Sequence, residues 1–282
     1  MSAPESAGPT GLDAYKPAEI ARLVETAGVA KAGLGVAQTL TLAILAGAFI
    51  GFGGAAYTMV MTGADPGFGP ARLLGGAVFS LGLILVIVGG AELFTGNALM
   101  TMAAVDGRIT PAQLLRNWSI VYAGNAVGSV ALAVAFALTG LLDGPMGATA
   151  AAIADGKGAL DPAAAFMRGI LCNALVCLAV WLTFSARSTT DRILAVIFPI
   201  AAFVAAGFEH SVANMYFIPV ALLLEAIDPS FVAAAGVDVS ALGWGAFFGK
   251  NLLPVTIGNV LGGSLFVAAT YWAIFLRPRA SQ

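Results

Sequence analysis

The chain alternates long apolar runs with short polar ones. Six runs, near 36–62, 73–105, 113–140, 163–185, 193–226 and 241–276, reach the roughly 20 helical residues needed to cross a hydrocarbon core of about 30 Å. They predict an all-α membrane domain over 36–277. The polar stretch 1–35 reads as a cytoplasmic segment ending in a short amphipathic helix from Pro17 to about Ala30, with neither the basic start nor the apolar centre of a signal peptide. Residues 278–282 read as a cytoplasmic tail.

Two runs are too long for one helix. The second covers about 33 residues from Leu73 to Val105, which would extend roughly 50 Å if continuous. GGAELFTGN (89–97) stands at its middle, and the fifth run carries GFEHSVAN (207–214) at its own. The second and fifth helices are therefore expected to be broken, as where transporters build a site at mid-membrane. The halves also match in spacing. Gly90-Ala-Glu92 is followed by Asn97 five residues after the acid, and Gly207-Phe-Glu209 by Asn214 at the same interval. NWSIVYAGNAVG (117–128) and NLLPVTIGNVLG (251–262) share Asn first, Gly-Asn at the eighth and ninth positions, and Gly at the twelfth. Repeats over about 36–140 and 163–277 hold three spans each, an odd number, so the second copy must enter the bilayer inverted relative to the first.

Composition supports the same class. With 59% hydrophobic and 10% charged residues, the chain lies outside the balance of a water-soluble domain. Its net charge of −2 and its 13 scattered Lys and Arg residues carry no nucleic-acid footprint. Nine of the 13 fall on one side of the expected topology: Lys16, Arg22, Lys31, Arg108, Arg116, Arg187, Arg192, Arg277 and Arg279. That excess puts both termini in the cytoplasm and the chain in the inner (cytoplasmic) membrane. Arg72, Lys157, Arg168 and Lys250 fall on the other side. Cys172 and Cys177 have no nearby His or carboxylate, so they read as packing residues, and no metal or cofactor is expected.

The candidate chemistry lies at the two breaks. A charged side chain at the bilayer centre costs at least about 2.5–3.5 kcal/mol on insertion scales, so it needs partners or water. Glu92 and Glu209 stand where half-helices expose backbone N–H groups, and with Asn97 and Asn214 they read as caps of the breaks. A proton relay through the acids is the alternative. His210, the only histidine, adjoins Glu209 and would point elsewhere. Thr95 occupies the equivalent zone of the first break, and its hydroxyl facing the imidazole would supply a small polar spot at mid-membrane. The competing readings are a packing histidine bonded to a carbonyl and a threonine that caps backbone.

GGAELFTG (89–96), GILCNALVCLAVW (169–181), GFEHSVANM (207–215) and NLLPVTIGN (251–259) resemble, in order and separation, the motifs of the formate/nitrite transporter family over roughly 17–277. The resemblance implies an aquaporin-like six-helix protomer in a homopentamer, each protomer with its own pore for a small monovalent anion. It marks Thr95 and His210 as the central polar pair, with Asn173 near the pore. It marks Phe79, Leu83, Leu93, Phe94 and Phe203 as two apolar constrictions, and Lys31 and Lys157 as vestibule cations, the latter in the loop DGKGALDP (155–162). Formate is the first candidate, with nitrite, hydrosulfide or a lactate-type acid as alternatives.

A bare carboxylate in low dielectric costs tens of kcal/mol in the Born limit. Protonating a weak acid of pKa about 4 at pH 7 costs only about 4 kcal/mol. Passage through Phe and Leu rings is thus expected largely as the neutral acid, making a proton the second partner of transport. A water or glycerol channel would need paired Asn-Pro-Ala signatures, which the chain lacks. An intramembrane enzyme would need a partner for Ser211, but its sequence neighbour His210 cannot face it on one helix, and no Gly-x-Ser-x-Gly turn occurs. No enzymatic activity is expected.

Overall fold

The computed structural model describes residues 13–230, 236 and 242–277. The start of the N-terminal segment, residue 241 of the sixth run and the tail 278–282 lie outside the described residues. The described chain runs α1 (Pro17–Ala32), α2 (Val36–Met61), α3 (Gly69–Gly89), α4 (Gly96–Val105), α5 (Pro111–Ala137), α6 (Pro145–Gly158), α7 (Pro162–Ser185), α8 (Thr189–Ala206), α9 (Ser211–Ile227) and α10 (Trp244–Phe275). Among the described residues no strand forms. Six of these helices, α2, α3, α5, α7, α8 and α10, are long and apolar enough to cross a membrane.

Local sequence sets the ends. Proline occupies the first turn of α1, α5, α6 and α7, where its missing N–H costs nothing. Thr110 and Gln113 close a capping box on α5, and Ser188 and Asp191 close one on α8. α3 and α8 stop at Gly90 and Gly207, whose φ of 80° and 75° only glycine adopts without strain. Each over-long apolar run is consequently two helices: α3 with α4, and α8 with α9. α6 was not expected from the pattern, and it moves Lys157 from a loop into the last turn of a helix. α10 contains two wide turns, Phe247–Leu252 and Gly262–Ala269.

Close helix crossings hold the bundle. A β-carbon on Gly128 of α5 would strike the Ile44 carbonyl of α2, and one on Gly258 of α10 would strike the Phe166 carbonyl of α7. Both pairs therefore pack backbone to backbone, the contact that small residues permit inside a bilayer. Large apolar side chains such as Phe52, Leu74, Phe198 and Leu265 stay exposed, an outer surface suited to lipid or to other copies of the chain rather than to water.

Candidate transport site

The two interruptions carry matching polar networks. In the first, Glu92 Oε1 accepts from Lys31 Nζ (2.6 Å), and its Oε2 accepts from Asn97 Nδ2 (2.7 Å). In the second, Glu209 Oε1 accepts from Lys157 Nζ (2.9 Å), and its Oε2 accepts from Asn214 Nδ2 (2.7 Å). Asn97 and Asn214 also donate to Asn117 and Asn251, the first residues of the two twelve-residue motifs. Both lysines come from the last turn of a helix outside the six spans, α1 and α6. Each carboxylate is buried, so pairing it with an ammonium and an amide offsets a desolvation cost of several kcal/mol.

Capping differs from the sequence expectation. The carboxylates of Glu92 and Glu209 bond lysine and asparagine side chains, and among the described residues the backbone at the breaks is held by other groups. Asn125 Oδ1 accepts from the Phe94 N–H (2.9 Å), while its amide donates to the carbonyls of Ala43 and Glu92. Asn259 does the same opposite, accepting from the Ser211 N–H (2.9 Å) and donating to Gly169 and Glu209. The planar amide, donor and acceptor together, satisfies an N–H and two carbonyls at once, which an ionised carboxylate cannot do. The signal was present in the paired Gly-Asn of the two motifs.

The two breaks meet at a polar side-chain contact. Thr95 Oγ1 and His210 Nε2 stand 2.9 Å apart, both buried. His210 Nδ1 accepts the Ala213 N–H at 3.1 Å and so caps α9. A neutral ring whose Nδ1 accepts carries its proton on Nε2, which donates to the Thr95 hydroxyl and leaves that hydroxyl's own proton free for a guest. Asn173 donates to the Thr95 carbonyl (3.1 Å) and to the Asn259 carbonyl (2.6 Å), tying the first break to the second half of the chain.

Two cavities approach this contact. One, of 580 Å³, includes Phe79, Phe203, His210 and Lys157 in its wall. The other, of 500 Å³, includes Leu83, Leu93 and Lys31, with Leu93 and Gly96 bracketing Thr95 in sequence. Phe79 and Leu83 lie one turn apart on α3, so one helix face serves both cavities across about 6 Å of rise. Phe203 sits edge-on to Phe79 (6.0 Å) and stacks on the His210 ring (6.0 Å). Thr95, Phe94 and Asn173 line neither cavity: Thr95 is reached through His210, and Phe94 packs against Tyr122 and Trp118. Phe217, which no motif singled out, joins the first cavity with Lys157 Nζ 5.4 Å from its ring centre. Among the described residues no three His, Cys, Asp or Glu side chains cluster as metal ligands would.

Comparison with known proteins places this architecture. The sequence profile of the formate/nitrite transporter family matches residues 18–273. The formate channel FocA of Escherichia coli K12 is 43% identical over 273 residues, covering 94% of this chain and 96% of the relative. A probable formate transporter of Methanothermobacter thermautotrophicus is 39% identical over 281 residues, 93% of this chain and 97% of the relative. A solved pentameric formate channel with formate bound is 43% identical and superposes with a TM-score of 0.79 over 86% of this chain and 98% of that one. A solved ion channel of the same family, 30% identical, gives 0.78 over 91% and 98%. With six helices able to span a bilayer and a family match over nearly its whole length, the chain is an integral membrane protein of the formate/nitrite transporter family.

Proposed function

We propose that this protein conducts formate, or a small weak-acid anion of its size, across the cytoplasmic membrane, as one pore in each protomer of a homopentamer with both termini in the cytoplasm. The observation that carries this reading is the buried Thr95–His210 pair, with His210, Phe79 and Phe203 in the wall of one cavity and Leu83 and Leu93 in the wall of the other. The names of the relatives support formate over nitrite. The matched networks support an inverted three-plus-three arrangement, in which either side presents a Lys–Glu–Asn network.

The steps follow from the groups present. Lys31 Nζ spends two of its three N–H bonds on Glu92 and Asn97, and Lys157 Nζ spends one on Glu209, so each ammonium keeps a donor for an arriving anion. The anion takes a proton at the cavity edge, because the cost of protonating it, about 1.4 kcal/mol per unit of pKa below ambient pH, is far below that of a bare charge among phenyl rings. The neutral acid then crosses the apolar side and meets the Thr95 hydroxyl and the imidazole, and it releases its proton in the opposite cavity. The protein supplies hydrogen bonds and exclusion of water, and no covalent step.

Proteoliposomes loaded with a pH-reporting dye test the reading. A formate gradient should drive formate uptake and acidify the lumen by one proton per formate. Formate entry without acidification would leave a plain anion pore, and nitrite entry outpacing formate at equal gradient would reverse the choice of substrate.

A further inference from the structure

We propose that Arg72 and Arg168 form a capture site for the small oxyanion at the mouth of the cavity opposite α1, beyond the Lys157–Glu209 pair. The proposal rests on the transport reading only in taking the captured anion to be the transported one. Both arginines line the 580 Å³ cavity together with Gly207, Glu209, His210 and Lys157. Their guanidinium ends overhang the same turn. A β-carbon on Gly207 would stand 3.0 Å from Arg72 Nη2 and 4.0 Å from Arg168 Nη1. Arg168 Nη1 also donates to the Gly207 carbonyl at 3.4 Å. Gly207 thus serves twice: its positive φ ends α8, and its bare α-carbon leaves the notch in which the two forks converge.

Charge accounting separates these arginines from the lysines. Lys157 is matched one for one by Glu209, at 2.9 Å, so that pair adds hydrogen-bond donors but no net attraction at a distance. Among the described residues, neither Arg72 nor Arg168 has a carboxylate within salt-bridge range. Of the charged groups lining this cavity, three are cations and one is an anion. The opposite cavity has Lys31 and Arg192 against Glu92. The stronger positive field therefore stands at the Arg72–Arg168 mouth, where a cleft with low-dielectric walls focuses it. A guanidinium fork matches the two oxygens of a carboxylate, and its charge does not titrate.

The test uses the full-length purified protein and sodium formate as the probe, with ionic strength held constant. Formate should raise the melting temperature of the wild type. In Arg72→Gln/Arg168→Gln, the half-saturating concentration for that rise should increase roughly tenfold, and Arg72→Lys/Arg168→Lys, which keeps the charge but loses the fork, should fall between the two. In phosphatidylcholine vesicles, whose lipids offer no net anionic headgroup as a competing ligand, the Gln pair should slow formate uptake at low concentration and leave it unchanged at saturation. Equal half-saturation in the wild type and the Gln pair, or a wild-type melting temperature indifferent to formate, would overturn the site. If the Gln pair melts early without formate, the Lys pair decides: wild-type half-saturation there overturns the fork, and an intermediate value supports it. Wild-type vesicles that take up no formate would instead overturn the transport reading, while the melting shift, which needs no transport, still judges the arginines.

Discussion

His210 uses its two ring nitrogens for different purposes: Nδ1 caps α9, and Nε2 meets Thr95. Substitution can separate them. Asparagine is among the best N-cap residues, so His210→Asn should keep the acceptor for the Ala213 N–H, the fold and the oligomer, while removing the only imidazole of the chain. The expected result is an oligomer that elutes and melts as the wild type does, with formate flux lowered about tenfold, because the Nε2–H that orients the Thr95 hydroxyl is gone. Wild-type flux in His210→Asn would make the residue a cap and nothing more. At this scale the sequence was legible where a polar residue was rare. One histidine and two acids inside apolar runs announce themselves, and Thr95 follows from the matched spacing. Asn125 and Asn259 were visible as a repeated Gly-Asn, but their three-bond geometry was not, because which backbone groups an amide satisfies depends on how two breaks fold against α5 and α10. The packing of Phe94 on Tyr122 and Trp118 was not legible for a related reason: its side-chain direction depends on the path of the non-helical linker, which carries no periodicity.

Among elements, the glycines that end α3 and α8 were readable and α6 was not. Glycine at positive φ leaves a mark in sequence, whereas the Ala-rich stretch PMGATAAAIADGKG has no apolar stripe strong enough to distinguish a packed helix from a loop. α1 is the other helix outside the six spans, and its docking carries a titratable contact. Its Glu25 is buried beside Asp106 in the turn after α4, with Arg108 Nη1 3.4 Å away. Burial, and then the Asp106 carboxyl, push the Glu25 carboxyl above its ordinary range. The Trp272 N–H (2.7 Å), and then Glu25, hold Asp106 below its own. A raised value in the folded state contributes stability at low pH that is lost as pH rises through it. A lowered value contributes stability that is lost as pH falls through it. One proton shared between the two carboxyls therefore holds α1 best between these limits, at mildly acidic pH. Amide exchange over residues 17–32, corrected for its intrinsic rate, should be slowest there and quicken toward neutrality. Glu25→Gln, a permanent donor to Asp106, should flatten the neutral limb. Protection of α1 that is the same at pH 5 and pH 7 in the wild type would remove the carboxyl pair from the account.

For the whole molecule, selection should follow from how the apolar sides, the polar pair and the cavities are stacked, rather than from a fit to one anion. A guest that passes Phe79 and Leu83 without its water meets a barrier set by the work of making it neutral. Each unit by which an acid is stronger adds about 1.4 kcal/mol, or tenfold in rate. Across small planar anions, uptake at fixed pH should therefore fall with increasing acid strength. Formate should pass readily, and nitrate, of similar size but the anion of a strong acid, should pass poorly. Phe203 is the residue on which to test this, since it packs on both Phe79 and the His210 ring. Phe203→Ala should open the seal to water and lower the cost of carrying charge. Nitrate uptake should then rise by a larger factor than formate uptake, and proton movement should fall below one per formate. The reciprocal result, equal increases for both anions, would mean that the ring obstructs by size alone. Rapid nitrate uptake by the unaltered protein would end the neutral-acid account altogether.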